Sequence, residues 1–195
     1  MPGAAVGGAS APAGLFGKLP DHRDFVRRSL PESFVGPWDE WLSAALAESR
    51  ARLGAGWLAA FLEAPVWRFA LAPGLCGPRG VAGVLAPSVD AVGRHFPITL
   101  AALTDAPPDP CTSAWHDALE AIAIDAVTEG WTAERLAAAL TPAGAPPAGM
   151  AIMGSVWQTL GAPRVQPRRL ELAALPAPAF FAEMLADAAG EAAAP

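Results

Sequence analysis

The sequence predicts a domain of the α/β or α+β class, with helices on both faces of a mixed, partly antiparallel sheet. Its 195 residues are 53% hydrophobic, which is enough for one sizeable core. Apolar residues recur at helical spacing in several segments, and short apolar runs bounded by Pro and Gly have the pattern of buried strands. Because the chain lacks internal repeats and domain-scale linkers, we expect one domain over residues 14–188. Residues 1–13 are predicted to be a disordered tail and 189–195 to fray.

The first helix is predicted to begin just after Ser29. Ser29 and Glu32 have the spacing of a capping box, and Trp and Leu side chains then recur at helical spacing until Gly54. Pro37 is a point at which this helix could break in two, because proline has no backbone N–H to donate. A second, short helix is predicted over residues 57–62.

Three strands are predicted next, at residues 66–71, 81–86 and 96–103. Each is an apolar run bounded by Pro, Gly or polar residues. The segment between the second and third strands is too short to hold a crossover helix, so these strands are predicted to be antiparallel neighbours. They form the centre of the predicted sheet.

The second half of the chain is predicted to contain three helices and two strands. One helix has its N-cap at Thr112 or Ser113, another begins at Thr132, and the last begins at Pro178. His116 lies on the polar side of the first of these helices. The strands are predicted within "MAIMGSVWQ" and "RRLELAA".

Composition excludes several classes of function. Thirteen basic against nineteen acidic residues give a formal net charge of −6, which argues against binding to nucleic acid or to anionic membranes. No apolar run approaches the roughly 18 residues of a spanning helix, so no membrane insertion is predicted. The N-terminus lacks the pattern of a secretory signal, so we expect a cytoplasmic protein. Cys76 and Cys111 are predicted to be free thiols.

The segment "GLFGKLPDHRDF", residues 14–25, places Gly17 and Lys18 together as a phosphate-binding loop would. A Walker A loop also needs a glycine five positions before Gly17 and a hydroxyl residue after the lysine. Those positions hold Pro12 and Leu19. The sequence therefore predicts no nucleotide site here.

The polar residues of the same segment do not predict a metal site, and the tryptophans do not predict a ligand site. Asp21, His22 and Asp24 have ligand chemistry, but a tight loop cluster of this kind is more often solvated, so no metal or other cofactor is predicted. Seven tryptophans suggest ligand stacking, yet most fall on predicted core stripes.

A second polar group lies in the loop "PSVDAVGRHFP", which joins the second and third strands. Ser88, Asp90 and His95 supply the residue types of a hydrolytic triad, but Ser88 lacks the G-x-S-x-G elbow. Arg94 could clamp an anion or could pair with Asp90. The loop is predicted to be either a partner surface or an internal brace.

Several blocks together resemble the type VI secretion-associated TagF family, also called ImpM. They are "GLFGKLPDHRDFVRRSLPESFVGPWDEWL", "APVWRFALAPG", "GVLAPSVDAVGRHFPITL", "SVWQTLG" and "LPAPAFFAEML". The blocks occur in the family's order and span about residues 14–187, so the resemblance is more specific than any single motif.

The resemblance implies a cytoplasmic accessory protein of a bacterial type VI secretion system, with a three-layer α/β/α sandwich fold. Such a protein represses assembly post-translationally by binding the forkhead-associated-domain scaffold protein, and it is not an enzyme. The alternative from the residues is a small hydrolase or ligand-sensing domain built around Ser88, Asp90, Arg94 and His22. The candidate cluster for partner binding or internal pairing contains seven residues: Lys18, His22, Asp24, Arg27, Ser88, Asp90 and Arg94.

Overall fold

The computed structural model of the protein describes residues 12–108 and 111–187. The tails predicted at 1–13 and 189–195 lie outside the described residues, apart from Pro12 and Ala13. Ala13 is buried against the hydrophobic core. Within the two described segments, no helix combines the length and the apolar composition that crossing a bilayer requires.

A seven-stranded antiparallel sheet with helices packed against it gives the molecule an α/β fold. The strands follow the order β2-β1-β5-β4-β3-β6-β7 across the sheet. They are β1 (Gly14–Gly17), β2 (Val26–Arg28), β3 (Trp67–Leu71), β4 (Gly80–Ala86), β5 (Ile98–Thr104), β6 (Ser155–Thr159) and β7 (Arg168–Leu172). The helices are α1 (Glu32–Leu53), α2 (Trp57–Leu62), α3 (Ala114–Thr128), α4 (Ala133–Leu140) and α5 (Phe181–Leu185).

Every neighbouring pair of strands is antiparallel, so the prediction of a mixed sheet is wrong. The order of the strands explains why. β2 and β3 run in the same direction and are joined through α1 and α2, but β1, β5 and β4 lie between them. β5 and β6 are joined through α3 and α4 and run in opposite directions. Strands that share a direction are therefore never neighbours in this sheet.

The sheet buries both of its faces. Along β4, Val81 and Leu85 belong to one hydrophobic cluster, whereas Ala82 and Val84 belong to another. Alternate residues of a strand point to opposite faces. The first cluster contains side chains of α1, α2 and α5, and the second contains side chains of α3 and α4.

Tryptophans form the centre of the first cluster, as the core interpretation predicted. Trp38 of α1 is fully buried, and its ring lies 4.7 Å from that of Phe69 and 6.1 Å from that of Trp157, centroid to centroid. Trp41 and Trp67 are also buried. These large aromatic side chains fix α1 against β3 and β6.

The start of α1 differs from the prediction. Pro31, not Ser29, is the N-cap, and Ser29 has φ +59°, in the left-handed region. The predicted capping box is therefore wrong. The carboxylate of Glu32 pairs with Arg27 instead. The helix also continues unbroken through Pro37, and its buried stripe confirms the predicted helical period.

The later elements follow the sequence more closely. Thr132 caps α4 as predicted, since its hydroxyl accepts a hydrogen bond from the backbone N–H of Arg135 at 3.2 Å. Ser113, one of the two predicted candidates, is the N-cap of α3, although its hydroxyl contacts Nδ1 of His116 at 3.2 Å and not a backbone N–H. His116 is fully buried, so its prediction as a polar-face residue is wrong.

Candidate functional site

The motif "GLFGKLPDHRDF" forms β1 and the turn that leads to β2. At Gly17, φ is +138°, and a Cβ atom would lie 2.1 Å from the carbonyl oxygen of Pro97. Only glycine permits this close approach, because any side chain would collide with the backbone. Lys18 follows directly and is 5% exposed. The glycine thus brings Lys18 against the loop of residues 87–97, which connects β4 to β5.

Asp90, in that loop, accepts four hydrogen bonds. Its Oδ2 accepts from Nζ of Lys18 at 2.8 Å and from Nε of Arg94 at 2.7 Å. Its Oδ1 accepts from the backbone N–H of Val92 at 3.0 Å and of Arg94 at 2.8 Å. The side chain of Asp90 is fully buried. We call Lys18, Ser88, Asp90 and Arg94 the Asp90 cluster.

The charge state of Asp90 follows from these bonds. Burial alone would raise the pKa of Asp90, but the hydrogen bonds from Lys18, Arg94 and Val92 outweigh burial and hold the pKa well below its usual range. The carboxylate is therefore ionised at physiological pH, and its acceptor positions are occupied. A group in this state is a poor general base.

Ser88 links the same two segments of the backbone. Its hydroxyl donates to the carbonyl oxygen of Lys18 at 2.8 Å, and its own carbonyl oxygen accepts from the N–H of Phe96 at 3.1 Å. The N–H of Ala91 donates to the carbonyl oxygen of His22 at 2.9 Å. The turn after β1 and the 87–97 loop are thus tied together by side-chain and backbone bonds.

The remaining predicted site residues lie at the rim of the Asp90 cluster or outside it. The Arg94 guanidinium is about half exposed; it donates to the carbonyl of Arg23 and lies 3.6 Å from the carboxylate of Asp24. Asp24 itself is almost fully exposed. Arg27 pairs with Glu32 on the surface and takes no part in the cluster.

The imidazole of His22 does not join these residues. Its Nδ1 is buried and has no hydrogen-bond partner within the described residues, and only its backbone carbonyl contacts the 87–97 loop. Within residues 12–108 and 111–187, no three His, Cys, Asp or Glu side chains converge as metal ligands do. Asp21 and Asp24 are exposed on the turn.

The triad residues do not form a nucleophile and base. The Ser88 hydroxyl donates to a backbone carbonyl, and Asp90 is saturated by other donors. The ring of His95 packs edge-on against Trp57 and Phe61, at centroid distances of 5.8 and 5.7 Å. Burial and the positive charge of Arg50 lower the pKa of His95. This histidine is a packing residue in the structure.

Aromatic rings cover the outer side of the Asp90 cluster. Phe25 stacks on Phe16 at 5.7 Å and meets Phe96 edge-on at 4.7 Å, while Nζ of Lys18 lies 5.2 Å from the centre of the Phe25 ring. Phe25 is 49% exposed, so this ring forms part of the surface beside Arg94. The resulting patch is an exposed aromatic ring bordered by charged groups.

Sequence reasoning missed a cleft of about 440 Å³ at the end of the sheet where β4 and β6 finish. We call it the α3 cleft. One wall is a face of α3 that includes Glu120 and Ile124, and the other is formed by Leu62, residues 64–66 and residues 161–163. Of the four residues of the hydrolase alternative, only Ser88 lines the cleft. The sequence signal was Ile124, an apolar residue that helical spacing places away from the buried residues Leu119 and Ala126 of α3.

Sequence reasoning also missed a buried arginine beside the α3 cleft. Arg68 of β3 is 5% exposed and donates from Nε to Oε2 of Glu120 at 2.6 Å. A second guanidinium nitrogen lies 2.8 Å from the carboxylate of Asp117. An arginine inside the apolar run "PVWRFALAPG" was the available signal, since a charge buried in a strand needs a partner.

Comparisons with known proteins agree with this architecture. The family model of the TagF N-terminal domain, described as type VI secretion system-associated, matches residues 14–142. The crystal structure of PA0076 from Pseudomonas aeruginosa PAO1 superposes with a TM-score of 0.82 at 32% sequence identity, covering 89% of this chain and 94% of that one. No curated protein sequence matches the chain.

Proposed function

The chain belongs to the TagF N-terminal domain family and is a type VI secretion-associated protein, and from this premise we propose that it is an accessory regulator that represses assembly of the secretion machine. Repression is post-translational and acts through binding of the forkhead-associated-domain scaffold protein in the cytoplasm. Family membership carries the proposal: the matched residues 14–142 include the whole Asp90 cluster and α3.

The geometry of the Asp90 cluster supports a binding protein over an enzyme. Catalysis by the hydrolase alternative would need a base within hydrogen-bond reach of Ser88. The hydroxyl instead donates to the carbonyl of Lys18 at 2.8 Å. Because Asp90 is engaged by Lys18 and Arg94, it is not available to orient a histidine. We therefore propose that the protein has no catalytic activity and needs no cofactor.

The two hydrophobic clusters support the three-layer α/β/α arrangement that the family resemblance implies. Side chains of α1, α2 and α5 lie in one cluster, and side chains of α3 and α4 lie in the other. In such an arrangement both faces of the sheet are covered, so a partner has access to the loops at the ends of the sheet and to the outer sides of the helices.

Co-purification of the tagged chain with the scaffold protein from the source bacterium tests the proposal. We expect a complex that survives EDTA and phosphatase treatment of the scaffold, because the proposed recognition uses neither metal nor phosphate. Deleting the gene should raise secretion by the system, and restoring the chain should lower it. Absence of a complex, or secretion that falls on deletion, would contradict the proposed function.

A further inference from the structure

We propose that the α3 cleft is the docking site for an apolar segment of a protein partner, and that this segment carries a lysine or arginine that pairs with Glu120. This inference rests on the proposed function, since it assigns a surface to the partner binding proposed above.

The first wall is one side of α3. Leu119 and Ala126 of this helix are fully buried in the cluster that packs against the sheet. The cleft is lined at i, i+3, i+4 and i+7 by Glu120, Ala123, Ile124 and Val127. Ala123 is fully buried and Val127 packs against the same cluster as Leu119, so these two form the base of this wall. Ile124 is 44% exposed. A solvated helix position is normally polar, so the exposed side chain of Ile124 is the apolar contact that this wall offers to a partner.

The second wall is also apolar and is formed by short segments of backbone. Leu62, at the end of α2, is 55% exposed and lines the cleft together with Pro65, Ala162 and Pro163. Leu62 and Ile124 thus expose large apolar side chains on two elements that border one concave surface. An apolar cleft of this volume lies within the range of pockets that accept the anchoring groups of ligands and partners.

The charge of the cleft specifies the partner further. Arg68 is a single positive charge that is shared by the carboxylates of Asp117 and Glu120, so this group of three carries a net negative charge. Oε1 of Glu120 accepts no hydrogen bond from any residue within the described segments, while Oε2 is occupied by Arg68. Glu120 lines the cleft, and a carboxylate beside an apolar cleft is complemented by a cationic side chain.

The experiment compares matched single variants of the full chain for binding to the purified scaffold protein. Ile124→Asp should weaken binding about 10-fold or more, because it places a charge on the apolar wall. The melting temperature should change little, since Ile124 is already 44% exposed. Met153→Asp is the matched control: Met153 is 93% exposed, just before β6, at the opposite end of the sheet. It should bind as the wild type does.

Two further variants keep the test decisive. If Ile124→Asp does not fold, Leu62→Ser on the second wall replaces it, with the same expected loss. Glu120→Gln keeps an oxygen for Arg68 but removes the charge, so its binding should fall less steeply with added salt than that of the wild type. Equal salt dependence would overturn the pairing with a cationic residue.

The outcomes separate this inference from the proposed function. A wild-type chain that does not bind the scaffold refutes both. A wild-type chain that binds, with Ile124→Asp and Leu62→Ser binding equally well, refutes only the assignment of the cleft. Loss of binding in Met153→Asp alone would move the interface to the opposite end of the sheet. A dimer that Ile124→Asp abolishes without loss of scaffold binding would assign the cleft to a second copy of the chain.

Discussion

Replacing Lys18 by methionine should lower the free energy of unfolding by about 1.5–3 kcal/mol. Lys18 is the sole lysine of the chain, and its ammonium donates to the buried carboxylate of Asp90 at 2.8 Å. Methionine keeps an unbranched apolar side chain but removes the charge. The substitution therefore tests the bond, with little change in the volume that fills the site.

The magnitude follows from the donors that remain. Removing one partner of a buried ion pair costs about 3–5 kcal/mol when the other charge is left unpaired. Here Asp90 keeps Nε of Arg94 and two backbone N–H groups, so its charge stays partly satisfied. The cost then approaches that of a single hydrogen bond to a charged group, about 1.5–3 kcal/mol. For a chain of this size, the melting temperature should fall by roughly 3–12 °C.

Thermal and urea unfolding, followed by far-UV circular dichroism, measures the effect. The matched control is Arg28→Met, which removes an exposed ion pair with Glu134 at 3.1 Å and should cost less than about 1 kcal/mol. The reasoning would be refuted if Lys18→Met unfolded at the same urea concentration as the wild type, or if it lost no more stability than Arg28→Met.

Four further predictions follow from the same structure. Arg94→Ala should lower the free energy of unfolding by only about 0.5–1.5 kcal/mol, because the Arg94 side chain is 55% exposed and Lys18 still donates to Asp90. A larger loss of stability in thermal melts than that of Lys18→Met would contradict this ranking. Because the folded pKa of Asp90 lies below its unfolded value, its stabilising contribution should be complete above about pH 4 and be lost as the pH falls further. Lys18→Met should show less of that loss in acid titrations of stability, and an equal loss counts against the pairing. Burial raises the pKa of the Cys76 thiol to about 12, so mass spectrometry should detect no alkylation of Cys76 by iodoacetamide before unfolding. Rapid labelling of Cys76 in the native protein would contradict its buried position. Limited proteolysis should trim only the ends of the chain, and a stable fragment cut near residue 106 would indicate two domains.

Elements with strong local patterns were predicted from the sequence. Two kinds of pattern depend on neighbouring residues alone: the apolar runs that became β3, β4 and β5, and the helical period of the α1 stripe. The structure confirms both. Thr132 was likewise recognisable as a cap, because capping acts within one turn. β1 and β2, with four and three residues, are too short to show a period, and they were missed as strands.

The candidate site could be predicted in part. Ser88, Asp90 and Arg94 share one loop, so their proximity was visible in the sequence. Lys18, the partner of Asp90, could be recognised only as a lysine in the motif "GLFGKLPDHRDF". Its pairing with Asp90 could not be predicted, because 72 residues separate the two. The Ser29–Glu32 capping box failed for a different, local reason. The helix begins after Pro31, so Glu32 is its first residue, and the carboxylate of Glu32 pairs with Arg27.

The sequence by itself determined the α/β class, the main helices, the central strands and the family to which the chain belongs. Those properties depend on local periodicity and on motif order along the chain. The tertiary structure alone decided that every strand pair is antiparallel, that Lys18 reaches Asp90, and that Ile124 and Leu62 border one cleft. Each of these joins segments far apart in sequence, and their contact depends on which strands pair. Lys18 lies against the 87–97 loop because β1, which precedes it, pairs with β5, which follows the loop.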